Sequence, residues 1–231
     1  MCGAGGIALA FSLGDRREEA TPATKPVITA TFTEPDILLA DSRRANNFLG
    51  MTRIAKSSAP VDEIRLETER LVLRKYRLSD FEDHFKLCAD PDVMRYLVGG
   101  KPMSRLEAWR HMAFLVGHWE LLGYGYFVAE EKASGRFVGR IGFANPEGWP
   151  GFEIGWTIAP EFQGRGFATE GGRFLLQYAF EEMDKSHVIS VINPENKPSI
   201  RVAERLGEKL EGKSEVMGTP MLIYGIDRPE R

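Results

Sequence analysis

The residues best suited to chemistry lie in a glycine-rich stretch, 163–168, with the sequence Gln-Gly-Arg-Gly-Phe-Ala. Gly164 and Gly166 allow the backbone to turn tightly because neither has a Cβ atom. N–H groups at the start of a helix lack partners within the helix, so several of them can converge on phosphate oxygens. Arg165 adds a positive charge beside them. The stretch is therefore predicted to bind an anion.

Two common phosphate-binding motifs fit this stretch poorly. The Walker loop needs Gly-Lys followed by Ser or Thr to hold magnesium, and no such sequence follows here. The dinucleotide-binding turn needs a third glycine where this chain has Thr169, and it follows the first strand of a repeating βαβ unit. A nicotinamide-dependent enzyme is therefore the weaker interpretation.

The glycine-rich stretch must be positioned by a strand before it and a helix after it. Residues 152–158 place Glu153, Gly155 and Thr157 on the face opposite the apolar side chains, and the helix begins near Thr169. Periodicity predicts further strands at 66–74, 124–130, 137–144, 187–192, 209–216 and 221–226. It predicts further helices at 78–89, 104–122 and 197–206. This order indicates an α/β fold of the mixed α+β type, with a mostly antiparallel sheet.

Two of the helices carry more specific expectations. The helix at 104–122 starts with a capping box formed by Ser104 and Glu107. Its predicted buried side chains are Trp109, Met112, Ala113, Val116 and Trp119. In the helix after the glycine-rich stretch, Gly171 and Gly172 each cost about 1 kcal/mol relative to alanine, which suggests close packing of this helix on the sheet.

The chain has the composition of an ordinary globular protein, with 43% hydrophobic and 27% charged residues. Its net charge of -3 gives no basic field for nucleic acid, and no apolar run approaches the roughly 18–20 residues that span a bilayer. The two cysteines and four histidines lack metal-ligand spacing, so no metal is expected. We expect a cytoplasmic protein without nucleic-acid or membrane partners.

The chain divides into two parts by composition. Residues 1–60 are rich in glycine at the start and then in threonine and proline, without sustained periodicity. We expect them to form a poorly ordered N-terminal extension. Residues 61–231 carry the regular patterns and are expected to form one domain.

Four further segments match the wording of one known family. They are 67–74 (ETERLVLR), 90–97 (DPDVMRYL), 153–156 (EIGW) and 193–196 (NPEN). With Gln-x-x-Gly-x-Ala after a strand, they make residues 66–226 resemble the GNAT superfamily of acetyl-coenzyme A-dependent N-acetyltransferases. Within it the chain looks most like the RimJ/RimL-like branch, which acetylates ribosomal proteins. The resemblance implies a central mixed, mostly antiparallel sheet of six to seven strands flanked by about four helices.

The resemblance also implies where acetyl-coenzyme A would bind. In that family the strand before the glycine turn separates from the next parallel strand, and the pantetheine arm enters the gap. The diphosphate would bind main-chain N–H groups of the turn, where the helix dipole favours negative charge by about 0.3–1 kcal/mol or more. The expected cofactor-binding residues are Trp156, Thr157, Ile158, Gln163, Gly164, Arg165, Gly166, Phe167, Ala168, Thr169, Asn193 and Asn196.

The implied reaction is direct attack of an amine on the thioester in a ternary complex. A base must remove a proton from the amine, and Glu153 is the candidate because a half-buried carboxylate can have its pKa raised toward working pH. Ser199 stands where this branch supplies a proton to the leaving thiolate. Structural alternatives remain: Glu153 as a solvated strand carboxylate, and Asn196 and Ser199 as helix-capping residues.

The acceptor is predicted only as a class, a primary amine of a small molecule or of a protein N-terminus. Ribosomal proteins, other peptides, aminoglycoside-like compounds and polyamines all remain open. The protein is expected to be a monomer or homodimer, with acetyl-coenzyme A as the acyl donor. The alternative function is an acyl-coenzyme A-binding module without turnover.

Overall fold

The computed structural model describes residues 64–97 and 99–230, so the predicted extension at 1–60 lies outside the described residues. The strands are β1 (Arg65–Glu67), β2 (Leu71–Arg74), β3 (Tyr126–Glu131), β4 (Phe137–Ala144), β5 (Glu153–Ile158), β6 (His187–Ile192), β7 (Lys209–Val216) and β8 (Thr219–Asp227). The helices are α1 (Phe81–Ala89), α2 (Pro91–Met94), α3 (Arg105–Leu122), α4 (Phe167–Glu181) and α5 (Lys197–Leu206).

All eight strands join one sheet in the order β1-β2-β3-β4-β5-β6-β8-β7. Every neighbouring pair is antiparallel except β5 and β6, which are parallel. The predicted mixed, mostly antiparallel sheet is therefore confirmed. The parallel pair is the one that the glycine-rich stretch and α4 connect.

The sheet has one strand more than expected, and the described residues hold one α-helix more. The strand predicted at 66–74 is a hairpin, because the chain turns between β1 and β2 and Thr68 N–H donates to Leu71 O at 2.9 Å. The additional helix, α2, begins at the predicted Asp90-Pro91 break. Asp90 caps it by accepting from the N–H groups of Asp92 and Val93, and proline at the first helical position needs no N–H partner.

The core lies between the sheet and α4. Leu71, Ile141, Ile154 and Leu175 are fully buried in it. The predicted close packing at the helix glycines is confirmed: a Cβ atom on Gly171 would lie 2.5 Å from Ile141 Cδ1. On Gly172 a Cβ atom would lie 2.9 Å from Leu206 Cδ1. Glycine at both positions therefore brings α4 closer to its neighbours.

The buried face of α3 differs from the predicted one. Its capping box is confirmed, with Glu107 N–H donating to Ser104 Oγ and Ser104 N–H donating to Glu107 Oε2. The buried residues are Ala108, Met112, Leu115, His118 and Trp119, however, whereas Trp109, Ala113 and Val116 are exposed. The prediction is confirmed for Met112 and Trp119 and wrong for the other three residues, because α3 carries apolar side chains around most of its circumference.

No helix within 64–97 and 99–230 combines the length and apolar character needed to cross a bilayer.

Candidate active site

A split in the sheet lies directly before the glycine-rich stretch. β5 and β6 share one pair of partners, Glu153 and Ile189, and Ile189 N–H donates to Phe152 O at 2.9 Å. Beyond that pair the strands part. Trp156 and Thr157 pair with β4 alone, so their backbone has no partner strand on the β6 side. The separation expected from the family resemblance is present.

Side chains, rather than a continued ladder, bridge the start of the split. Ser190 Oγ donates to Ile154 O at 2.9 Å. Val191 N–H donates to Glu153 Oε1 at 3.4 Å. The narrow end of the gap is therefore bridged by one hydroxyl and one carboxyl group.

The glycine-rich stretch presents an uninterrupted row of N–H groups. Gly164 has φ +72° and Gly166 has φ +84°, a left-handed conformation that favours glycine. Glu170 is the first residue after the turn whose N–H reaches a backbone acceptor, Gly166 O at 2.9 Å. No described residue accepts a hydrogen bond from the N–H groups of residues 164–169. The anion site predicted for this stretch would therefore use six N–H groups that are open to phosphate oxygens.

A carboxylate from α4 ties this turn to the start of the sheet. Glu170 accepts from Thr68 Oγ1 at 2.5 Å, from Arg70 N–H at 2.7 Å and from Arg70 Nε at 2.6 Å. Arg70 Nη1 also donates to Arg165 O at 3.0 Å. Gln163 Nε2 donates to Ile158 O at 2.9 Å and fixes the other end of the turn. Sequence reasoning missed Arg70 and Glu170 because a hundred residues separate them.

Arg165 and Phe167 contribute less directly than their residue types suggest. The guanidinium of Arg165 is in an ion pair with Glu131 and lies over the rings of Phe162 and Phe167. Its charge is therefore balanced within the protein. The side chain of Phe167 is buried in the core, so this residue offers only its N–H group to a ligand.

Glu153 is a buried carboxyl group, which rules out the solvated alternative. Only 6% of the residue is exposed. Trp149 Nε1 donates to its Oε2 atom at 2.7 Å. Burial raises the pKa of Glu153 to about 8, against the opposing effects of the Trp149 and Val191 hydrogen bonds and of Arg140. A carboxyl group with this pKa can hold or release a proton near neutral pH.

Tyr126 is a second polar group on the same face, and no sequence signal marked it. A Cβ atom on Gly155 would lie 2.0 Å from the Tyr126 hydroxyl oxygen, so glycine at 155 leaves the room that the hydroxyl occupies. Burial, with the nearby charge of Glu153, raises the pKa of Tyr126. The phenol is therefore a neutral donor beside Glu153.

The two asparagines combine a structural role with free donors. Asn196 Oδ1 accepts from Ser199 N–H at 3.1 Å and caps α5, which confirms the structural alternative for Asn196. Asn193 Oδ1 accepts from Glu195 N–H at 2.9 Å. Neither side-chain NH2 group donates to a described residue, and the hydroxyl of half-buried Ser199 has no described partner. These groups remain able to contact a ligand.

All four histidines have partners that the sequence did not reveal, and those of His187 are Asp227 and Glu211. Arg140 Nη1 donates to His111 Nε2 at 2.8 Å, so the proton of the neutral ring is on Nδ1, which lies 3.1 Å from His84 Nε2. The other nitrogen of His84 lies 3.2 Å from the Tyr76 hydroxyl. His118 accepts from Asn145 N–H at 3.2 Å and donates to Tyr124 O at 2.8 Å.

Cys88 completes this cluster behind the sheet. Its Sγ atom lies 3.5 Å from His84 Nε2 and 3.8 Å from His111 Nδ1, so three potential metal-ligand atoms are together. His84 and Cys88 are four residues apart on α1, a spacing that sequence reasoning passed over. Burial and the charge of Arg140 lower the pKa of His84 to about 3. Because the two nitrogens facing Cys88 already share a hydrogen bond, the arrangement is a directional hydrogen-bond chain from Arg140 to Tyr76.

Comparisons with known proteins agree with this geometry. Residues 70–209 match the family described as an acetyltransferase (GNAT) domain. The chain is 34% identical over 133 residues to a protein of Aspergillus fumigatus named FsC-acetyl coenzyme A-N(2)-transacetylase, a match that covers 54% of this chain and 56% of that protein.

Solved structures share the fold. An acetyltransferase from Agrobacterium tumefaciens superimposes with a TM-score of 0.65 at 26% identity, covering 80% of this chain and 99% of that one. A structure titled as a putative ribosomal-protein-serine acetyltransferase from Vibrio cholerae gives a TM-score of 0.60 at 19% identity, covering 71% and 98%. At 19% identity, the second likeness supports the fold alone.

Proposed function

This chain belongs to the GNAT acetyltransferase family, and we propose that it moves the acetyl group of acetyl-coenzyme A to a primary amine by direct attack in a ternary complex. The observation that carries the proposal is the row of six N–H groups at residues 164–169, which no described residue accepts from and which directly follows the split between β5 and β6. Acetyl-coenzyme A is the donor that the family generally uses. The name of the fungal relative includes the same cofactor.

The site has a place for each part of this cofactor. The diphosphate would accept from the N–H row, where the positive end of the α4 dipole also acts. The pantetheine arm would lie in the gap as an additional strand and bond the backbone of Trp156, Thr157 and Ile158. The free NH2 groups of Asn193 and Asn196 would donate to carbonyl oxygens of the arm from the opposite side.

Glu153 is the proposed general base. The amine nitrogen attacks the thioester carbon, its proton passes to the Glu153 carboxylate, and the carbon–sulfur bond then breaks. The departing thiolate takes a proton, for which Ser199 is the proposed donor; solvent then returns a proton to Ser199 and removes the one held by Glu153. The acceptor is a primary amine of a small molecule or of a protein N-terminus.

A thiol-release assay tests the proposal. The protein is incubated with acetyl-coenzyme A and a panel that includes N-terminal peptides, amino sugars and polyamines, and free coenzyme A thiol is followed with time. We expect acceptor-dependent release, which Glu153→Gln should reduce by about 10²- to 10⁴-fold. Glu204→Gln, the same change at an exposed position of α5, should leave the rate unaltered.

The alternative, an acyl-coenzyme A-binding module without turnover, predicts a different pattern. Coenzyme A would bind, and no acceptor would raise thiol release above the rate without protein. In that case neither Glu153→Gln nor Ser199→Ala would change any rate. Such a result across the whole panel would reject the acetyl-transfer proposal.

A further inference from the structure

A second buried carboxyl group lies at the narrow end of the split. Glu208 follows the C-terminal glycine of α5, and only 3% of the residue is exposed. Its Oε1 atom is 3.1 Å from Ser190 Oγ, and its Oε2 atom is buried without a hydrogen-bond partner among the described residues. No proton transfer in the proposed reaction involves this carboxyl group. A buried, half-satisfied carboxylate is unfavourable, so its presence calls for an explanation.

Counting protons assigns the charge state of Glu208. Ser190 has a single hydroxyl proton for two contacts, to Ile154 O and to Glu208 Oε1, and the backbone carbonyl can only accept. An ionised Glu208 would compete with Ile154 O for this proton, so both contacts are hydrogen bonds at once only when Glu208 carries a proton of its own. Protonated Glu208 then donates to Ser190, and Ser190 donates to Ile154. Oε2 is left as a neutral carbonyl oxygen, for which a missing partner costs far less than for a carboxylate.

The surroundings favour this protonated form. Burial raises the pKa of Glu208 to about 7, and the charge of Glu211 acts in the same direction against the Ser190 hydrogen bond. No described cation forms an ion pair with Glu208. The charged or ionisable groups on the elements around it include Glu153 (β5), Arg173 (α4), His187 (β6), Arg201, Glu204 and Arg205 (α5), Lys209 and Glu211 (β7) and Asp227 (β8).

We propose that Glu208 is a positioning residue of the transfer site, which sets the end of the β5/β6 gap through Ser190. While Glu208 is protonated, Ser190 Oγ donates its hydrogen bond to Ile154 O, which holds β5 to β6 beside Glu153. When Glu208 loses its proton, Ser190 donates to the Glu208 carboxylate instead, and the hydrogen bond to Ile154 O is lost. The gap that receives the pantetheine arm then changes shape as pH rises. This inference rests on the proposed binding of coenzyme A in the gap.

Glu208 also acts on the proposed base from the other side of the split. Burial is the largest cause of the raised pKa of Glu153, and the negative charge of Glu208 raises it further. Ionisation of Glu208 therefore disfavours ionisation of Glu153. The two carboxyl groups are expected to titrate as a pair.

The first arm of the test needs no ligand. Thermal unfolding of the wild type, Glu208→Gln and Glu204→Gln is followed from pH 5 to pH 9. A glutamine amide keeps the donor to Ser190 and cannot ionise, so Glu208→Gln should match the wild type at pH 5 and exceed its midpoint by about 5 °C at pH 9. Glu204→Gln should follow the wild type throughout. A difference that does not depend on pH would overturn the protonated state.

The second arm measures the affinity of the gap for coenzyme A by calorimetric titration. The dissociation constant of the wild type should rise about three- to tenfold between pH 6 and pH 8.5 relative to Glu208→Gln, the loss expected for one hydrogen bond. Ser190→Ala should bind weakly at both pH values. Equal pH dependence in the wild type and Glu208→Gln would overturn the positioning role.

A third measurement protects the test against variants that fail to fold. Carbon-13 NMR titration of the wild-type side-chain carboxyl groups reports the protonation of Glu208 directly, and a pKa at or below about 5 would overturn the proposal. If neither the wild type nor any variant binds coenzyme A, the proposed function fails, whereas the stability and NMR arms still decide the state of Glu208.

Discussion

The raised pKa of Glu153 predicts how kcat/KM of the acetyl transfer depends on pH. A base must be ionised to accept a proton, so kcat/KM should rise with pH through about 8, the pKa to which burial brings this carboxyl group. The comparison uses an acceptor amine whose own pKa lies well below 7, so that amine ionisation does not add to the profile. Glu153→Gln should remove this rise as well as most of the rate. A profile that is flat between pH 6 and pH 9 in the wild type would contradict the role of Glu153.

Gly164 and Gly218 have the same left-handed backbone conformation, so alanine at each separates an effect on stability from an effect on coenzyme A binding. Gly164 has φ +72° and Gly218 has φ +76°, and a Cβ atom would meet nothing within 4 Å at either position. Alanine at each should cost about 1–2 kcal/mol of unfolding free energy, since left-handed backbone is strained for residues with a Cβ atom. Only Gly164→Ala places that methyl group beside the N–H row, so it alone should weaken coenzyme A binding. Equal affinities of both variants in calorimetry would mean that the turn is structural.

Sequence patterns indicated the residues of the candidate site better than the side-chain contacts that hold those residues in place. The N–H row follows from two glycines before a helix, which is local information. The Arg165–Glu131 pair, the Glu170 tie to Arg70 and the Ser190–Glu208 contact join residues far apart in the chain. No spacing rule encodes such contacts, because they depend on which strands become neighbours.

At the element scale, the glycines within helices give an opposed pair of predictions. A Cβ atom on Gly171 of α4 would meet Ile141 Cδ1 at 2.5 Å, and Ile141 is fully buried, so Gly171→Ala should destabilise by about 1–3 kcal/mol. Gly117 of α3 has nothing within 4 Å, so Gly117→Ala should stabilise by about 0.5–1 kcal/mol. Denaturant unfolding measures both. Stabilisation by both substitutions would show that α4 does not pack as closely as described.

The elements themselves were largely predictable, and their burial was not. Turn and capping residues fixed most boundaries, as Ser104 and Gly123 do for α3. The predicted buried face of α3 was wrong for several residues because a helix that is apolar on several sides has no single apolar stripe in its sequence pattern. The β1–β2 hairpin was missed because its strands are short and its turn lacks glycine and proline.

At the scale of the whole molecule, ligand-induced stability distinguishes cofactors. A ligand that binds only the folded protein stabilises it by about 2.7 kcal/mol when present at 100 times its dissociation constant. Coenzyme A and acetyl-coenzyme A should therefore raise the thermal midpoint by several degrees, and NADH should not. Stabilisation by NADH alone would return the nicotinamide interpretation.

The single parallel pair between β5 and β6 has a consequence for how the molecule holds together. It joins a five-stranded part of the sheet to a three-stranded part through Glu153 and Ile189. An inserted pantetheine arm would hydrogen-bond to both parts and join them into one continuous sheet. In each catalytic cycle the two parts would then be joined when the donor enters and separated again when free coenzyme A departs.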